Sequence, residues 1–244
     1  MLEPITSTPP RQVGRAVFRQ RWGDLAFLHW PVPVEAVAPL LPPGTFPDVH
    51  DGTTWVGLVP FEMSEVGILG TPPLPYLSRF LETNVRLYAY DAQGRRGVVF
   101  RSLEAARLLP VLAAMAGYHL PYRWARMSVQ RSDDLRTYVS SRRWPGPRGA
   151  STSVRVRVGD RVEPDPLAHF LTARWGLFSR FPGGRTAWAP VDHGAWPLHS
   201  ARLLDLADDL VAAAGLPEPA GPPHVLWSPG VDVRFDRPRL LHRE

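Results

Sequence analysis

The chain has 244 residues, 44% of them apolar, with a formal net charge of +5, which is material for one large core-bearing domain or two small ones. It holds no cysteine, so disulfides, thiolate metal sites and a thiol nucleophile are excluded. All 28 basic residues are arginine, so no side-chain amine is available for a Schiff base. The arginines are scattered with no dense basic run or nucleic-acid motif, which argues for a solvated surface and against a nucleic-acid face. Residues 1–20 carry no hydrophobic leader stretch, and no apolar run approaches the ~20 residues of a membrane span. The expectation is a soluble cytoplasmic protein without nucleic-acid or membrane partners.

In chain order, residues 1–14, with Pro4, Pro9 and Pro10, read as a flexible tail, and residues 15–244 as a single domain. Asp24 to Trp30 is an apolar run that stops at Pro31 and reads as a strand. Pro33 to Leu41 is a short helix with proline at its start, ended by Pro42-Pro43-Gly44. Trp55 to Met63 is the next strand, and the Pro/Gly-rich stretch Gly67 to Ser78 is a loop that could form a lid. From Thr83 to Tyr90, Val85, Leu87 and Ala89 alternate with Asn84, Arg86, Tyr88 and Tyr90, the period of a half-buried strand. Tyr88 to Phe100 forms a hairpin turning at Asp91 to Gly94. Arg101 to Gly117 repeats apolar residues at helical spacing, although Pro110 would kink it. Leu135 to Arg143 and Ser151 to Val162 are strands. Asp165 caps a helix running to Trp175, with Pro166 at its first position. Trp175 to Phe181 and Arg185 to Val191 form a hairpin around Pro182-Gly183-Gly184. Leu198 to Ala214 reads as a helix ended by Gly215, and His224 to Trp227 and Val231 to Phe235 as closing strands.

Candidate chemistry gathers at two places. Glu82 begins the alternating strand, and Arg86 lies on the same side about 13 Å along it at ~3.3 Å per residue. That carboxylate could act as a general acid or base, or simply pair with Arg79 or Arg86. Tyr122 and Arg123 follow Leu120-Pro121, where a proline-fixed turn could present two donors to a carboxylate or carbonyl; the alternative is a helix-to-strand junction whose tyrosine packs. His193 and His199 are six apart with Pro197 between them, which is not the spacing of a helical metal pair, so no metal is expected. His193 reads as a turn or pocket histidine, and His29, between Leu28 and Trp30, as a satisfied core histidine. A Gly-x-Ser-x-Gly elbow, a Gly-x-Gly-x-x-Gly fingerprint and a P-loop are all absent, so no nucleotide cofactor is expected.

Several segments together resemble a known group. They are Leu25 to Val32, Leu40-Leu41-Pro42-Pro43-Gly44, Trp55 to Phe61, Phe80-Leu81-Glu82-Thr83-Asn84-Val85-Arg86, His119-Leu120-Pro121-Tyr122 with Ala125-Arg126-Met127, Ser141-Arg142-Arg143 and Trp196-Pro197-Leu198. In order, and from about Arg21 to Val233, they are similar to the YqjF-like family of bacterial domains of unknown function. That family is in turn distantly similar to acetoacetate decarboxylase. The resemblance implies an α+β fold, mainly an antiparallel β-barrel or cone of the acetoacetate-decarboxylase-like type with about three peripheral helices, around a closed pocket and often in homo-oligomers. By that similarity Pro121-Tyr122-Arg123 stands where the decarboxylase has Pro-Lys-Lys, and Glu82 stands where it has its glutamate. The glutamate is kept and both lysines are gone, so iminium decarboxylation is ruled out by residue type.

The expected function is that of a small-molecule pocket protein: a non-Schiff-base lyase, hydratase or isomerase acting on a small oxo- or carboxy-acid. Glu82 and Tyr122 are the expected catalytic residues, and Arg123, Arg126, Arg86, His29 and His119 the expected ligand-binding ones, with no cofactor. The alternatives are a non-catalytic binding or sensor protein on the same barrel, and a structural interaction module with its interior filled by tryptophan and phenylalanine.

Overall fold

A computed structural model describes residues 1–11, 18–68, 78–107 and 118–241. Among these, the strands in chain order are β1 (Phe18–Val32), β2 (Thr45–Pro47), β3 (Thr54–Ile68), β4 (Phe80–Asp91), β5 (Arg96–Ala105), β6 (Tyr122–Ser132), β7 (Leu135–Trp144), β8 (Ser151–Arg161), β9 (Gly176–Phe181), β10 (Arg185–His193), β11 (His199–Asp208), β12 (His224–Phe235) and β13 (Arg239–Leu240). Three short helices accompany them: α1 (Val34–Val37), α2 (Pro166–Thr172) and α3 (Leu210–Ala213).

The pairings β1–β3–β4–β5–β9–β10–β12–β1 trace a closed ring, and β6, β7, β8 and β11 form a second layer that leaves β5 and returns to β12. All the pairings are antiparallel except β5 with β6 and β5 with β9. Closing a sheet on itself removes exposed edges and separates an inside from an outside. Inside the ring lies one core, built from Leu25, Phe27, Phe61, Phe80, Leu103, Leu177 and Val233 and capped by Phe170 and Leu171 of α2. Between the ring and the second layer lies the other, with Leu28, Trp30, Val85, Leu87, Tyr138, Val154 and Val156.

β4 illustrates what the closure does. Its alternation predicts a half-buried strand, yet both faces are buried. Val85, Leu87 and Ala89 face the inter-layer core. The polar set Glu82, Asn84, Arg86 and Tyr88 faces the ring interior and is at most 6% exposed. Polar side chains enclosed in this way must find partners or carry a large desolvation cost.

Local turn chemistry is realised as read. The β4–β5 and β9–β10 hairpins form at the Asp91–Gly94 and Pro182–Gly184 turns. Asp165 caps α2, its carboxylate accepting from the Ala168 N–H at 2.7 Å. Three expectations are corrected. Leu198–Ala214 is not one helix but β11 followed by the single turn of α3. β11 pairs with β8 through two register shifts; these put Ala201, Leu203 and Leu206 on one half-buried side and break the period of two that would have marked a strand. Arg101–Ala105 belongs to β5 rather than to a helix; residues 108–117 of that expected helix lie outside the described residues. Finally, residues 1–11 are not a free tail. The Glu3 N–H donates to Gly94 O at 2.9 Å, the Glu3 carboxylate accepts from the Arg96 N–H at 3.1 Å, and Trp175 Nε1–H donates to Thr6 O at 3.2 Å. Among the described residues no helix is long and apolar enough to cross a membrane.

Candidate functional site

Glu82 projects into the ring interior near Phe61, Met63, Phe80, Leu103 and Ala105. Tyr122 reaches it because the first residue of β6 lies beside Leu103, which in turn lies beside Asn84. The Tyr122 hydroxyl donates to Glu82 Oε2 at 3.0 Å. Burial pushes the Glu82 carboxyl from 4.5 up to about 8; hydrogen bonds from Tyr122 and Asn84 offset part of the effect, and the Glu104 charge adds to it. The group therefore carries a proton at neutral pH. Burial first, and Glu82 second, hold the Tyr122 phenol well above its usual value.

Farther along β4 a second polar group occupies the same interior. Tyr88 Oη accepts from Arg86 Nε at 3.0 Å, donates to Leu171 O at 3.0 Å and lies 2.7 Å from His29 Nε2. The phenol has one proton, so if Leu171 takes it, His29 Nε2–H must be the donor to Tyr88. The bare Nδ1 of His29 then has no partner, which costs less than the opposite tautomer, since that would bury an N–H with no acceptor. Burial holds His29 neutral, helped by the charges of Arg86, His224 and Arg174. Leu171 O is a carbonyl of the last turn of α2, unsatisfied within the helix; it also accepts from Arg86 Nη2 at 3.0 Å. Gly57 makes room for the group: a Cβ there would stand 2.9 Å from the His29 ring and 3.2 Å from Arg86 Cγ.

Arg86 is 6% exposed, yet among the described residues no carboxylate pairs with it, its bonds going to the Tyr88 hydroxyl and the Leu171 carbonyl. The neighbouring Arg174, stacked 4.7 Å over Tyr88, shares Asp48 with Arg96. The interior thus holds an excess of positive charge over negative around Tyr88. A buried guanidinium without a counter-ion is costly and is a ready partner for an anion.

The seven expected site residues divide by strand geometry. Glu82 and Tyr122 touch, and Arg86 and His29 share the ring interior with them. Arg123 does not join them: consecutive residues of a strand face opposite ways, so it lies beside Glu104 and Arg142, whose charges act on it. Arg126 is exposed on the outer surface. His119 sits in a separate cavity beside Arg101 and Arg180. Tyr88, Asn84 and Arg174 belong to the interior group without having been singled out. Tyr88 and Asn84 are readable as the same-face neighbours of Arg86 and Glu82; Arg174 gives no such signal, because only the α2–β9 connection brings it in. His193 is also internal, its ring stacked 4.3 Å from Trp175.

Comparison with known proteins agrees with this architecture. The chain is 29% identical over 220 residues, 90% of each protein, to the uncharacterized protein YqjF of Bacillus subtilis (strain 168). An acetoacetate decarboxylase-like enzyme from Sphingomonas wittichii RW1 superposes with a TM-score of 0.66 at 12% identity, covering 96% of this chain and 97% of that one. The enduracididine biosynthesis enzyme MppR complexed with pyruvate superposes with a TM-score of 0.63 at 15% identity, covering 96% and 93%. These likenesses place the fold among acetoacetate decarboxylase-like proteins. Residues 19–232 match the model of domain of unknown function 2071, described as an uncharacterized conserved protein, and the chain belongs to that family.

Proposed function

We propose that the ring interior binds a small oxo- or carboxy-acid and that Glu82 and Tyr122 carry out proton transfer on it, as a lyase, hydratase or isomerase that forms no Schiff base. The observation that carries this reading is the buried Glu82 carboxyl, pushed up to about 8 and hydrogen-bonded to Tyr122. A group that titrates near neutrality can both give and take a proton in one cycle. Tyr122 would donate to a substrate carbonyl, the polarising role that an iminium has where lysine is present. Arg86, which pairs with no carboxylate among the described residues, would hold the carboxylate. The solved structure of MppR with pyruvate supports an oxo-acid as the ligand class. A second reading, a non-catalytic binder, also rests on Arg86, which can hold an anion without any proton moving.

The test is hydrogen–deuterium exchange at the carbon next to the carbonyl of pyruvate and 2-oxobutyrate, followed by NMR. Catalysed exchange that falls by roughly a hundredfold or more in Glu82→Gln supports acid–base catalysis. Binding without exchange favours the binder. Absence of binding by any small oxo- or carboxy-acid refutes both.

A further inference from the structure

β5 changes neighbours along its length. It pairs with β9 at Val98 and Val99, and with β6 from Leu103 to Ala105. Among the described residues, no strand pairs with Phe100, Arg101 or Ser102 on that edge. On the other edge Arg101 is the extra residue of a bulge, since the register to β4 passes from Val85–Ser102 directly to Arg86–Phe100. Bulges redirect side chains, and the extra residue of this one lines a cavity of about 310 Å³. Pro39, Leu40, Pro42, Leu120, Val99 and Phe178 give it an apolar lining.

Every charged residue lining this cavity is basic, Arg101 and Arg180, and the imidazole-bearing His119 lines it with them. Arg101 donates to Leu40 O at 3.0 Å and to Ala214 O at 3.1 Å, and Arg180 donates to Leu41 O at 3.2 Å. All these acceptors are neutral carbonyls, and among the described residues neither arginine pairs with a carboxylate. Burial and the charge of Arg180 push Arg101 below its usual value, the mark of two like charges sharing a recess. Ser179, 5% exposed, also lines the cavity, and its Oγ has no partner. His119 is held at φ +50°, a left-handed conformation that costs a non-glycine residue energy, with its ring 4.3 Å from that of Phe181.

We propose that this cavity is a second ligand site, separate from Glu82, for an oxyanion joined to an apolar body. The anion, a carboxylate or a phosphate monoester, would lie against Arg180, Arg101 and His119, where like charges focus the field. The apolar part would lie on Phe178, Val99, Pro39 and Pro42. The volume is within the range of small-molecule sites. This inference does not depend on the chemistry of the ring interior.

The test is calorimetric titration at low salt with two probes, benzoate and phenyl phosphate, which separate the two sources of the anion. One saturable site is expected for at least one of them. Arg180→Glu should weaken it by roughly tenfold or more, while Arg86→Met, in the ring interior, should leave it unchanged. Arg180 is exposed and tolerates replacement better than Arg101, which ties Leu40 and Ala214 together; Arg180→Gln, with a smaller loss expected, is the fallback if the charge reversal does not fold. The proposal is overturned if neither probe saturates below about 10 mM. It is equally overturned if the Arg180 variant binds like the parent, or if Arg86→Met abolishes the binding.

Discussion

Replacing Glu82 by glutamine isolates the energetic consequence of enclosing a carboxyl in the ring. In the folded chain burial pushes this group up to about 8, against 4.5 for an unhindered glutamate. Between these two pH values the folded state keeps the proton and the unfolded state has lost it. The folded state therefore binds more protons, and stability falls as pH rises through the window. The slope is about 1.4 kcal/mol per pH unit, which accumulates to at most about 4–5 kcal/mol by pH 8, a large part of a typical domain's stability. Glutamine is close in shape, stays neutral, and its amide oxygen can still accept from Tyr122. Glu82→Gln should then match the parent near pH 5 and exceed it by several kcal/mol near pH 8, read from urea unfolding across that range. His29, His193 and His224 are pushed below their usual value, chiefly by burial. Their contribution has the opposite sign, a stability lost as pH falls below about 6.5, and it cancels in the difference between parent and variant. A pH-independent difference, or a variant less stable than the parent at pH 8, would refute the reasoning.

Two further outcomes follow from the packing. Gly57→Ala places a methyl 2.9 Å from the His29 ring and should cost about 1–3 kcal/mol by overpacking. The measurement is the thermal midpoint together with the His29 ring resonances, and an unchanged midpoint with unmoved resonances would contradict the described geometry. Arg142 donates from Nε and Nη2 to Glu104, the two side chains being at most 2% exposed. Arg142→Leu alone should cost about 3–5 kcal/mol by stranding a buried carboxylate, and adding Glu104→Leu should recover most of it; a single variant that loses under about 1 kcal/mol in urea unfolding would show the pair to be dispensable.

Much of the local structure was legible in the residues. Asp165 with Pro166 starts a helix because a carboxylate and a proline both suit the first turn. Pro182-Gly183-Gly184 turns a hairpin because glycine reaches positive φ at no steric cost, and Gly183 and Gly184 stand at φ +74° and +68°. β11 was illegible as a strand because its apolar residues satisfy a helical spacing until two bulges realign them against β8. Within the candidate site, Glu82 stood out by its place at a strand start. Arg123 looked equivalent to Tyr122 because spacing along a chain carries no information on which face will be enclosed.

The sequence by itself determined what chemistry is out of reach: without lysine or cysteine there is no side-chain amine or thiol to bond to a substrate. It also determined that Glu82, Asn84, Arg86 and Tyr88 share one side of a strand, since the period of two is a property of the backbone. Only the tertiary structure decided that this side looks into a closed ring rather than out to water. That decision rests on β5 pairing with β9 and β1 with β12 across long stretches of chain. Desolvation depends on those pairings, and it is desolvation that raises the Glu82 carboxyl from 4.5 to about 8 and makes the burial of the Arg86 guanidinium costly.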